Sequence, residues 1–165
     1  MNGNGRQGYL FACTLAAAIS IHTSDVHADS FAGKTIKAVY SITAGACRAS
    51  IGKCESGAPV SADANIYIGT KGRMFDYATG KQGAEIPLGQ WYNSPEGKPQ
   101  KWYLQGNRLV HQGEQPLLTQ RVIYTLTGPA SCTIHVDSKS KHPELRFTTQ
   151  ASVQSCVVQQ GVSER

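Results

Sequence analysis

The chain has 165 residues, of which 40% are apolar and 16% charged, and its formal net charge is +5 at pH 7. That length suits one domain with room for a real core. The basic residues are scattered, and the densest cluster, Lys139, Lys141 and His142, stands beside Pro143 without forming a stripe, which argues against a nucleic-acid surface.

The N-terminus carries three features in order. Arg6 is positive, Tyr9 to Ile21 is an apolar and small-residue run broken only by Thr14 and Ser20, and Val26-His27-Ala28 places small or medium residues at the −3 and −1 positions of a cleavage site. This is the pattern of a secretory signal, so residues 1–28 are expected to be removed, leaving a single β domain over residues 29–165 in the periplasm or outside the cell. The run is shorter than the ~20 residues a spanning helix needs, and no second one follows, so no membrane span is expected in the mature chain. Leu10-Phe11-Ala12-Cys13 loosely resembles a lipobox, but the cysteine lies inside the run and Phe11 is bulky for that site. The signal takes Arg6 and Asp25 with it, so the mature charge stays at +5. Such a basic protein favours anionic polymers at long range.

Cys47, Cys54, Cys132 and Cys156 remain after the signal. An even number in a small exported domain reads as two disulfides, although four cysteines allow three connectivities. Sequence proximity favours Cys47–Cys54, and placement on two predicted strands favours Cys132–Cys156. Cys132 and His135 are three apart, which in a strand puts them on opposite faces and argues against a shared metal.

Along the rest of the chain, short alternating runs are separated by turn residues, as in antiparallel β proteins. Lys34 to Ile42 sets Ile36, Ala38, Tyr40 and Ile42 on one face. Thr43 to Asp63 is rich in Ala, Gly and Ser and reads as a long loop tied by the first two cysteines. Asn65 to Tyr77 is a hairpin turning at Thr70-Lys71-Gly72, with Ile68 opposite Met74 and Tyr67 opposite Phe75. Ala78 to Pro99 reads as a Gly- and Pro-rich link interrupted by Trp91-Tyr92. A second hairpin joins Gln100–Gln105 to Arg108–Gln112 through Gly106-Asn107, a dipeptide suited to a two-residue turn. It sets Leu104 opposite Leu109, Trp102 opposite His111, and Tyr103 opposite Val110 on the other face. Leu118 to Leu126, Ser131 to Asp137, Leu145 to Gln150 and Ser152 to Gln159 complete the strands, with a turn over Lys139 to Pro143 and a frayed tail from Gly161. The expected fold is therefore all-β with about eight to nine strands, a mostly up-and-down antiparallel barrel, with a β-sandwich as the alternative.

No catalytic motif emerges. His111, His135 and His142 lie in no paired-histidine spacing, there is no nucleophile elbow, and the glycines are dispersed at turns rather than gathered in a phosphate loop. Asp76 and Glu85 are carboxylates near aromatic residues with no partner carboxylate placed by sequence. No cofactor and no metal are expected. The informative feature is aromatic placement. Tyr67, Phe75, Tyr77, Trp91, Tyr92, Trp102 and Tyr103 all fall in one stretch, and in alternating strands some of these rings must face outward. Trp102 shares a face with Leu104 and Leu109 and is expected inside. Tyr103, with Lys101, Gln105 and Arg108 on its side, is expected outside. The candidate ligand-contacting residues are thus Tyr67, Phe75, Tyr77, Trp91, Tyr92 and Tyr103.

Gly33-Lys34-Thr35-Ile36 with Tyr40-Ser41, Ile66-Tyr67-Ile68-Gly69 with Gly72 to Tyr77, Gly106 to Val110, and Ser155-Cys156-Val157-Val158 together give the mature chain a pattern that resembles a group of small exported bacterial proteins without a known activity. The resemblance implies a bacterial envelope context and no chemistry. The 47–54 cysteine pair stands outside that pattern. Three functions are compatible with these readings. One is a binding module for a small amphipathic ligand or glycan. Another is an envelope accessory or enzyme inhibitor acting through the disulfide-tied loop, where a pre-ordered loop loses less entropy on binding a partner protein. The third is a hydrolase with an unrecognised site.

Overall fold

The computed structural model describes residues 30–77 and 83–162, so the expected signal segment, its cleavage point at Asp29, residues 78–82 of the central link and residues 163–165 fall outside it. Within those limits the chain forms one antiparallel sheet of 11 strands. These are β1 (Lys34–Arg48), β2 (Lys53–Ser56), β3 (Val60–Ile68), β4 (Met74–Asp76), β5 (Ala84–Ile86), β6 (Trp91–Asn93), β7 (Pro99–Gln105), β8 (Arg108–Glu114), β9 (Leu118–Gly128), β10 (Ser131–Ser140) and β11 (Leu145–Gln160).

The sheet runs β5-β4-β3-β1-β11-β10-β9-β8-β7-β6, with β2 paired to the far end of β1. Along this path the strands follow the chain up and down, except that β1 pairs with β11 and β2 stands aside. The sheet curls into a half-barrel. Its two edge strands are β5 and β6, and just after β5 the chain makes a parallel bridge from Leu88 to Trp102 of β7, where the Gly89 N–H donates to the Trp102 carbonyl at 2.6 Å.

Both predicted hairpins have the expected register: Ile68 opposes Met74, Tyr67 opposes Phe75, Trp102 opposes His111, Tyr103 opposes Val110 and Leu104 opposes Leu109. Gly106 takes a φ of 59°, which suits the first central position of a tight hairpin turn, and Asn107 Nδ2 donates to the Leu126 carbonyl at 3.2 Å. Alternation explains the core. Ile36, Ala38 and Tyr40 of β1, Ala64, Ile66 and Ile68 of β3, and Val122, Tyr124 and Leu126 of β9 are all buried and belong to a single cluster. Phe31, just ahead of β1, is buried in the same cluster and is 1% exposed.

The segment Thr43 to Asp63 is not a loop. β1 continues through it to Arg48, because β11 offers a backbone partner at every step from Lys34↔Gln160 to Arg48↔Leu145. Ladder pairing, rather than large side chains, holds this part in place. Its small residues have a purpose in packing: a Cβ on Gly45 would lie 2.7 Å from Thr148 Oγ1 and 3.3 Å from the Glu55 carbonyl, so only glycine fits. β2 then pairs Lys53–Ser56 back onto Gly45–Arg48, and the result is a stapled three-stranded arm with β11. The central link likewise contains β5 and β6. The two last predicted strands are one, β11, whose register slips between Val39↔Ser155 and Tyr40↔Val153, leaving Gln154 as the extra residue of a bulge.

Both expected disulfides are present. Cys47–Cys54 staples the arm with its Cα atoms 4.0 Å apart, and Cys132–Cys156 joins β10 to β11 at 5.2 Å. Such bonds belong to an oxidising, extracytoplasmic environment. Among the described residues no helix is long and apolar enough to cross a membrane.

Candidate functional site

The concave face of the half-barrel carries a recess of about 200 Å³ lined by Tyr40, Asp63, Ala64, Ile66, Asp76, Trp102, His111 and Tyr124. Space exists there because the β1–β3 wall is built from small residues: Ala38 pairs with Ala64, and Tyr40 pairs with Ala62. The opposite wall is aromatic. Trp102 on β7 and His111 on β8 are direct cross-strand partners, and their rings stack at 4.3 Å with planes 10° apart. Tyr124, from β9, lies parallel to Trp102 within 19° at 6.1 Å.

Polar groups in this apolar setting are partnered, as buried tyrosines require. The Tyr40 and Tyr124 hydroxyls bond each other at 3.0 Å. His111 Nε2 stands 2.9 Å from Gln100 Oε1, and with the amide oxygen accepting, Nε2 carries the proton and Nδ1 faces as an acceptor.

The electrostatics keep these groups uncharged. Burial raises the Tyr40 phenol, and the hydrogen bond with Tyr124 only partly offsets this. Burial pushes Tyr124 up further, with Tyr40, Asp76 and Asp63 acting in the same direction. Tyr92 is pushed up to about 12, first by burial, while a hydrogen bond with Trp102 opposes the shift. His111 falls to about 4 because burial penalises the imidazolium. Near neutral pH the recess therefore offers neutral phenols and a neutral imidazole. Hydrolytic acid–base work needs groups poised near the working pH, and the imidazole and phenols here are moved away from it in both directions.

The predicted contact residues do not gather in one place. Tyr67 and Phe75 stack on the convex face of β3 and β4 at 6.3 Å, with the Arg73 guanidinium 5.3 Å above the Phe75 ring. Tyr77 is half-buried, and its ring lies where a Cβ on Gly83 would sit. Trp91 is exposed on β6, whereas its neighbour Tyr92 packs against the core. Tyr103 is half-buried on the convex side, opposite the buried Val110. Trp102 is inside, at 6% exposure, but Leu104, expected to accompany it, is exposed near the end of the hairpin.

Tyr40, Tyr124, Asp63 and Gln100 were not singled out by sequence reasoning. A signal existed for the tyrosines: each lies on a strand face that is otherwise apolar, and a phenol on a core face needs a partner there. A second concavity, about 250 Å³, lies on the arm between Arg48, Ile51, Lys53, Glu55 and Leu145. Among the described residues no cluster of His, Cys, Asp or Glu is arranged to hold a metal. Comparison of the chain with protein-family models, curated proteins and solved structures returns no match.

Proposed function

We propose that the chain is an exported binding module of the bacterial envelope that takes a small amphipathic molecule into the recess of the half-barrel. The observation that carries this reading is the recess itself, where an aromatic wall faces an alanine wall and the polar groups between them are neutral hydrogen-bonding partners. Binding sites combine these features, an apolar concavity with a few fixed polar groups. At about 200 Å³ the recess is smaller than drug-sized pockets, so it accepts a head group or a single ring rather than an extended glycan. The aromatic residues on the convex face are cross-strand packing in this reading.

The chain has two tryptophans, and Trp102 lines the recess while Trp91 is exposed. Trp91→Phe therefore leaves a single fluorophore at the site. A panel of small alcohols, amines, acids and monosaccharides titrated against this variant is expected to give a saturable change in emission with at least one class. A flat response to all of them would remove the recess as a ligand site. Export is tested separately: the exported protein is expected to have the intact mass of residues 29–165, and a mass retaining residues 1–28 would overturn it.

The stapled arm favours a second reading, an accessory or inhibitor that engages a partner through its tip. Ile51 there is 63% exposed between two disulfide-tied strands. Ile51→Asp is expected to abolish capture of any such partner from the envelope fraction, and unchanged capture would count against the arm.

A further inference from the structure

We propose that the half-barrel is built as two leaves that turn about the joint between β10 and β11, and that this motion opens and closes the recess. One leaf is β1 to β5 with β11, and the other is β6 to β10. Inside each leaf the ladders are long. β1 is paired with β11 from Lys34↔Gln160 to Arg48↔Leu145, and β10 with β9 from Ser131↔Gly128 to Ser140↔Leu118. Between the leaves the ladder is a single pair, Ser131↔Val157, beside the bond from the Val158 N–H to the Ala130 carbonyl at 3.0 Å. Further along, the Val136 carbonyl accepts from the Thr149 hydroxyl at 3.2 Å, a side-chain bond in a place where no ladder pair forms. The Ser138 hydroxyl, two residues on, is buried without a hydrogen-bond partner.

The joint is pinned at both ends. Cys132–Cys156 crosses it at one end, and at the other the chain itself turns from β10 into β11 over residues 141–144. Strands tied at both ends and unladdered between them cannot part, but they can rotate about their common length. Such a rotation changes the curl of the sheet and therefore the width of the concavity. The recess lies across it, with Tyr40, Ala64 and Ile66 on one leaf and Trp102, His111 and Tyr124 on the other. The 3.0 Å bond between the Tyr40 and Tyr124 hydroxyls clasps the leaves, together with the apolar packing of the shared core. Opening lets the stranded Ser138 hydroxyl reach water, which offsets part of the packing that is lost. The motion needs no ligand; that it admits one rests on the recess being a ligand site.

Amide hydrogen exchange on the native chain tests the joint. The Ala130 and Val136 carbonyls both point to β11, so the N–H groups of Ile134, Val136 and Ser138 do too, while those of Thr133, His135 and Asp137 point to β9. The first three are expected to exchange about 100-fold faster than the second three, through a local opening insensitive to low urea. Comparable protection of the two sets would overturn the joint. Acrylamide quenching of Trp102 in the Trp91→Phe protein reads the motion at the recess, where that side chain is 6% exposed. On this background Thr149→Val, and separately Cys132→Ala combined with Cys156→Ala, are expected to raise the quenching constant several-fold in the absence of urea. Cys47→Ala combined with Cys54→Ala is expected to leave it unchanged. Tyr40→Phe, which undoes the clasp, is expected to raise it while the exchange pattern of β10 stays as it is. Quenching that responds to neither Thr149→Val nor Tyr40→Phe would overturn the hinge, whether or not the cysteine variant folds. A flat ligand panel alongside raised quenching would remove only the ligand reading and leave the hinge standing.

Discussion

The hydroxyls of Tyr40 and Tyr124 meet at 3.0 Å inside the half-barrel, although β1 and β9 are separated in the sheet by β11 and β10. The pair spans the concavity instead of following the ladder. It fixes the distance between the two walls of the recess.

Removing one hydroxyl strands the other. Tyr40→Phe and Tyr124→Phe are each expected to cost about 1–3 kcal/mol, because a buried donor or acceptor loses its partner. The double phenylalanine variant is expected to be more stable than the sum of the single losses predicts, since no orphan remains. Urea melts of the four proteins in the cycle measure this. Strict additivity would mean the two hydroxyls are not coupled.

The second hairpin gives a test of sidedness. Trp102→Ala removes a large ring from the core cluster and is expected to cost about 3–5 kcal/mol. Tyr103→Ala uncovers part of the convex face around Val110 and is expected to cost about 1 kcal/mol. Denaturation midpoints decide the order, and a larger loss at Tyr103 would invert the assignment of faces.

His111 ties stability to acidity. Its folded value, about 4, lies below the ordinary 6.5, so between these values the unfolded chain binds more protons than the folded one. The stabilisation is full above pH 6.5 and is lost as pH falls towards 4, by roughly 3 kcal/mol in total. Glu85 and Glu114, held low by Arg73 and Lys141, lose their contributions at more acidic pH. Stability measured from pH 7 to 4 is expected to fall in the native chain and to stay flatter in His111→Asn. Parallel profiles would remove His111 as the source.

The two disulfides are expected to differ in weight. Cys132–Cys156 encloses a separation of 24 residues and Cys47–Cys54 one of 7. Loop-closure entropy then gives about 3.5 and 2.5 kcal/mol respectively. Paired Cys→Ala variants, compared by chemical denaturation, are expected to rank in that order. The arm lies apart from the core cluster, so Trp102 fluorescence is expected to be unchanged when its staple is removed.

The hairpins were legible in the sequence because side-chain alternation and turn glycines are local signals. Ile68 finds Met74, and Trp102 finds His111, within a few residues of a turn. The arm was not legible, because Thr43 to Arg48 is held by pairing with residues 145–150, a partner invisible to any local pattern. The recess was half legible. The inward faces of Tyr40 and Tyr124 follow from alternation, but their meeting depends on how strongly the sheet curls, and that is a property of the whole strand order. The predicted hairpin register already sets Asp76 opposite Ile66, yet the recess that Asp76 borders depends on the same curl of the sheet.

The pairing of β1 with β11, from Lys34↔Gln160 to Arg48↔Leu145, also governs when the molecule can form. Its first and last strands are mutual partners, so the contact order is high and folding of such topologies is slow. During translation the hairpins can close as they emerge, but the longest ladder waits for the final strand. Until then the chain has no complete concave face and remains in a threadable, unfinished state.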